Sequence, residues 1–130
     1  MKRSCITLIL LLVFVGFAQA GVVEMTKRDS NTPGYFYTET IATGATGDDV
    51  RVYPMGMDGT RITCLIIAGA GSGKFQFTTS SDADVAAQTA TWSDWPKGAV
   101  TGTDWDALTS QVTGLRGVST SGEIVIEIVY

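Results

Sequence analysis

Residues Arg61–Ser81 read RITCLIIAGAGSGKFQFTTSS, and their reading decides the fold. Ile62, Cys64 and Ile66 share one parity while Leu65 and Ile67 share the other, as in a central strand covered on both faces. After the glycine-rich Ala68–Gly73, Phe75, Phe77 and Thr79 alternate with Gln76, Thr78 and Ser80, as in a half-exposed strand. The expected element is a β-hairpin whose connection is the glycine-rich stretch. That connection, AGAGSGK, imitates a phosphate-binding loop. However, Ala68 stands at the first glycine position, Phe75 replaces the magnesium-binding hydroxyl, and the following residues alternate like a strand rather than opening a helix. A turn is the better reading, because glycine tolerates positive φ.

Working towards the N-terminus, GYFYTETI (34–41) is aromatic and threonine-rich, a good first strand. ATGATGDD (42–49) is turn chemistry, Val50–Tyr53 is a short strand that Pro54 ends, and Asp58-Gly59 suits a tight turn into the hairpin. Residues 21–33 turn polar after Met25 and read as a loose lead-in. Before them, Lys2 and Arg3 precede an apolar run, Ile6–Phe17, and Ala18-Gln19-Ala20 fits small-x-small cleavage before Gly21. The expectation is a signal-like apolar helix over residues 1–20. The run is shorter than the roughly 20 residues a bilayer span needs, which weighs against the alternative, an uncleaved membrane anchor. Cys5 lies before the run, poorly placed for lipidation.

Towards the C-terminus, Asp82–Gln88 suits one helical turn capped by Ser81 or Asp82. Ala90–Trp95 reads as a strand stopped by Pro96, and Thr101–Ser110 has no clear period. Gln111–Val118 and Glu123–Tyr130 read as strands around a four-residue turn, Ser119–Gly122, with Ile124, Ile126, Ile128 and Tyr130 on one face. About seven short strands with turn signals between them predict an antiparallel β-sandwich or jelly roll over residues 34–130.

Removal of residues 1–20 takes Lys2 and Arg3 and no acid, so seven basic residues face thirteen acids, a net charge of −6. An acidic domain without a basic cluster is a poor nucleic-acid binder. Cys64 is then the sole cysteine, which excludes an intramolecular disulfide and suits a buried, inert thiol.

The chain has no histidine, which removes the commonest general base and metal ligand and the usual serine and cysteine triads. Ser72 and Lys74 have nothing nearby to activate them. The pairs Asp48/Asp49, Asp82/Asp84 and Asp104/Asp106 could serve a glycosidase or hold calcium, but all lie in turn-like sequence where Asp bonds nearby backbone. No enzyme and no cofactor are expected. Trp92, Trp95 and Trp105, with Asp94 among them, are the candidate contact residues. Exposed, they would form a sugar-stacking platform. Buried, Trp92 would close the core and Trp95 would stack on Pro96. Positions 92 and 95 have opposite parity on one strand, which argues against the platform. Arg116 is expected to pair with Glu127 across neighbouring strands.

The runs GSGKFQFTTSSDADV (71–85), TATWSDWPKG (89–98) and VTGLRGVSTSGEIVIEIV (112–129) resemble small structural proteins of tailed bacteriophages. The resemblance covers Tyr35–Tyr130. It implies a β-sandwich component of a virion, of decoration, neck or tail type, that works by contacts with other particle subunits in an oligomer. It carries over no functional residue. The front of the chain departs from that pattern, since particle proteins normally lack an export signal. An exported carbohydrate-binding or adhesive module is therefore the rival reading, with a glycan as its partner. Membrane contact is expected only through residues 1–20, if they are retained.

Overall fold

A computed structural model of the chain describes residues 20–27, 34–52 and 62–130. The signal-like segment to residue 19 and the Asp58-Gly59 turn lie outside them. The described strands are β1 (Val22–Glu24), β2 (Thr26–Lys27), β3 (Tyr35–Ile41), β4 (Asp49–Arg51), β5 (Ile62–Thr78), β6 (Ser93–Asp94), β7 (Val100–Leu108), β8 (Gly114–Ser121) and β9 (Ile124–Val129). One short helix, α1 (Asp82–Ala86), joins them. The domain is mostly β. The strand expected over Ala90–Trp95 shrinks to β6, and the segment without a clear period becomes β7.

The expected hairpin is not formed. Ile62–Thr78 is one strand of 17 residues that bends at its glycines instead of reversing. Its first part pairs with β7 on one side and β9 on the other, from Thr63↔Val129 to Ile67↔Val125. Its second part pairs with β8, from Gly73↔Ser119 onward to Thr78↔Gly114, and with β6 at Gln76 and Phe77. The turn expected at Ser119–Gly122 is likewise a bend. Paired positions sum to 192 along β9 and again from Lys74↔Val118 to Thr78↔Gly114. β8 and β9 are therefore one ribbon running antiparallel to β5 from end to end, with both broken at the same corner. Such a corner lets one continuous sheet change direction along its strands.

The corner also changes which residues face inward. Before it, Ile62, Cys64, Ile66 and Ala68 are buried; after it, Gly71, Gly73 and Phe75 are. The partner ribbon switches in step, from Leu115, Gly117 and Ser119 to Ile124, Ile126 and Ile128. A bulge supplies the odd residue that a parity change requires. The inner faces of the two halves then meet. A Cβ on Gly117 would lie 2.6 Å from Ile41 Cδ1 and 2.8 Å from Ile126 Cγ2, so the halves approach where no side chain separates them. Burial of each isoleucine of β9 contributes about 1.5–3 kcal/mol.

The lead-in is not loose where it is described. β1 pairs in parallel with β4, and β2 pairs with β3. α1 follows the expected capping chemistry: Asp84 N–H donates to Ser81 Oγ at 3.1 Å, and Ser81 N–H donates to the Asp84 carboxylate at 3.2 Å. Its one buried residue, Val85, lies over Gly114, where a built Cβ would also meet Thr78 and Trp92.

Candidate functional site

The tryptophans part company in the fold. Trp95 is 6% exposed and wedged against Phe75 and Phe77, at centroid distances of 6.4 and 6.3 Å. Its indole N–H donates to Asp106 Oδ2 at 2.9 Å, and this bond holds the Asp106 carboxyl below its usual range. Trp92 is half-buried beneath Arg116, whose guanidinium carbon lies 4.3 Å from the ring centroid. Trp105 is 64% exposed. Trp95, not Trp92, therefore fills the core, with Phe75 and Phe77 as its aromatic neighbours.

Asp94 is taken up by Lys74 Nζ at 2.6 Å and Gln76 Nε2 at 2.7 Å, and the lysine holds the carboxyl low. A hollow floored by Cys64, Ile66, Phe75 and Trp95 opens between Lys97 and Asp104. Its volume of about 20 Å³ suits one water and is far too small for a sugar ring. Lys97 Nζ bonds Asp104 Oδ1 at 2.7 Å across that mouth, which lowers the Asp104 carboxyl. Cys64 is sealed beneath, its thiol pushed up to about 12 by burial.

The other acidic pairs are also engaged. Asp82 binds Arg51 Nε at 2.9 Å, and Asp84 caps α1. Asp49, 3% exposed, pairs with Arg116 Nη1 at 3.3 Å; burial raises its carboxyl and the arginine pulls it back. Arg116 Nε also donates to Gln76 Oε1 at 2.8 Å. The expected Arg116–Glu127 pair is therefore replaced, because β8 and β9 continue one ribbon and do not face each other. No cluster of three metal-ligating side chains occurs among the described residues.

What the sequence reading missed is a surface. The ladders align Trp105, Leu65, Glu127 and Thr38 in one row across β7, β5, β9 and β3. The next row holds Ala107, Thr63, Val129 and Phe36. Alternation turns these side chains away from the buried isoleucines of β9. Phe36 and Trp105, the exposed large hydrophobics of the described residues, both lie on this face. Leu65 and Val129 between them are half-buried. The available signal is that apolar residues occupy both parities in CLII and IVIEIV; parity alone does not distinguish a face covered by this chain from one left outward.

The exposed strand beside this face is closed to further pairing at its centre. Trp105 N–H donates to Asp104 Oδ1 and Ala107 N–H to Asp106 Oδ1, each at 2.8 Å, while Lys97 Nζ caps the Trp105 carbonyl at 3.1 Å. Charged self-capping of this kind discourages strand addition along β7. Comparison with protein-family models, curated proteins and solved structures finds no match to this chain.

Proposed function

We propose that this chain is a non-enzymatic structural subunit of a bacteriophage particle, of decoration, neck or tail type. In this reading the two halves are the layers of a β-sandwich, and the outward face of β3, β9, β7 and the first part of β5 packs on neighbouring subunits. One observation carries it: the two rows from Phe36 to Trp105, half-exposed among the described residues, in which five apolar side chains stand with Thr38, Thr63 and a single charge, Glu127. Four strands at about 4.8 Å spacing and about 20 Å length give a face of roughly 400 Å². That is half of a standard interface side, a size suited to subunits held by several copies at once. The resemblance of residues 35–130 to phage structural proteins supports the same reading, as does the engagement of the described Asp pairs in structural bonds.

Mass spectrometry of purified particles tests it, with Phe36→Asp/Trp105→Asp as the surface variant. The chain is expected in virions, and the folded double variant is expected to be lost from them. Absence of the unaltered chain from particles rejects the proposal. The second reading, an exported glycan-binding module, draws on the exposure of Trp105. Glycan arrays decide it, since binding that Trp105→Ala abolishes would replace the particle reading.

A further inference from the structure

The backbone nitrogen of Gly21 lies 2.6 Å from Asp48 Oδ1, a contact spanning 27 residues. Asp48 Oδ2 accepts from the Tyr37 hydroxyl at 3.1 Å, and the Asp48 N–H donates to both Glu39 oxygens at 3.1 and 3.0 Å. The Glu39 carboxylate, bound to the Asp48 backbone, thus lies near the Asp48 carboxylate in a half-buried setting. Among the described residues, no lysine or arginine pairs with either. Burial raises the Glu39 carboxyl, and the neighbouring Asp48 charge adds to it. The site has a neutral amide where its charge calls for a cation.

Hydrolysis between Ala20 and Gly21 would create that cation on the same atom. Water adds to the Ala20 carbonyl, the C–N bond breaks, and the products are a carboxylate on Ala20 and an amine on Gly21. An α-amine of ordinary pKa, about 7.7–8.0, is protonated at neutral pH. Ala18-Gln19-Ala20 supplies the small-x-small pattern, and Ala20 and Gly21 are both partly exposed. The new terminus has little freedom to wander. Asp49 N–H donates to the Gly21 carbonyl at 2.8 Å, and the parallel ladder begins at Val22↔Asp49.

We propose that cleavage after Ala20 produces an α-ammonium at Gly21 that pairs with Asp48, with Glu39 behind it, and locks β1 onto β4. The mature chain is then more stable than one whose terminus is uncharged. This inference stands apart from the particle reading, since a chain starting at Gly21 could be recovered inside particles or outside the cell.

The test begins with the intact mass of the product when residues 1–130 are expressed in an export-competent bacterium; a start at Gly21 is expected. The thermal midpoint of that product is then compared with the same chain acetylated at its α-amine, which keeps an N–H donor but removes the charge. The free amine should melt roughly 2–6 °C higher at pH 6. An amine whose folded pKa is raised contributes fully below its unfolded pKa and loses the contribution as pH rises through the folded one, so the gap should close by about pH 10. Asp48→Asn should remove the gap at pH 6. Should that variant not fold, an NMR titration of the Gly21 amine in the unaltered chain decides, with a pKa above the ordinary range expected. A different cleavage site, equal midpoints at pH 6, or an unshifted amine overturns the proposal.

Discussion

Gly71 and Gly122 meet backbone to backbone at the corner: a Cβ built on Gly122 would lie 2.9 Å from the Gly71 Cα. Gly122 also has a φ of +64°, a conformation that crowds any Cβ against the following carbonyl. The two long ribbons can bend together only because neither carries a side chain there.

Gly122→Ala should therefore cost about 3 kcal/mol, combining backbone strain with the separation of the ribbons. Gly44 is the control. Its φ is +71° but nothing lies within 4 Å of a built Cβ, so Gly44→Ala should cost only about 1 kcal/mol. Urea unfolding followed by circular dichroism separates the two. Equal costs would mean that close approach at the corner does not matter.

Among the described residues, Asp49 has one ion-pair partner, Arg116, at 3.3 Å. Arg116→Met should destabilise the domain by about 3 kcal/mol at neutral pH, and adding Asp49→Asn should recover most of it. The pH dependence has a definite sign. Burial already raises the Asp49 carboxyl, and loss of the arginine raises it further. A raised carboxyl favours the folded state below its unfolded pKa and loses that advantage as pH rises through the folded value. The Arg116→Met deficit should accordingly be smallest near pH 4 and grow upward, as read by denaturation at stepped pH.

Trp95 and Trp105 should behave oppositely on truncation. Trp95→Ala empties the core beside Phe75 and Phe77 and should cost about 3–5 kcal/mol. Trp105→Ala should change stability by less than about 0.5 kcal/mol, because the ring is largely exposed. The Asp106 carboxyl, held low by the Trp95 indole, retains its stabilising charge above its unfolded pKa and loses it as pH falls through the folded value. Trp95 fluorescence should change with a midpoint below the ordinary Asp range, and Asp106→Asn should abolish that change.

Cys64 should not react with a thiol-modifying disulfide reagent at pH 8 while the domain is folded. Burial raises its thiol to about 12 and leaves the residue 2% exposed. In urea it should react at the rate of an ordinary thiol. Rapid modification of the folded chain would contradict the burial.

The regular parts of this fold were legible because each follows a local rule. Alternation marks β3 and β9, and Ser81 with Asp84 marks the start of α1. β7 was not legible, since Thr101–Ser110 mixes small, acidic and aromatic residues whose parity matters only once Cys64 and Ile66 lie beside it. The tryptophans were legible as a group but not in their orientations. The Arg116 pairing failed because it assumed that β8 and β9 face each other.

By itself the sequence determined a β-rich acidic domain with one buried thiol, since composition and alternation act residue by residue. Only the tertiary structure decided what AGAGSG does. Glycine permits either a reversal or a bend, and the choice depends on whether a partner continues across the gap. Residues 114–129 do continue, bending at Gly122 where β5 bends at Gly69–Gly71, and their shared register turns an expected hairpin into a corner. That same corner fixes which face of Leu65, Val129 and Trp105 is left outward, a property of paired strands that no single segment encodes.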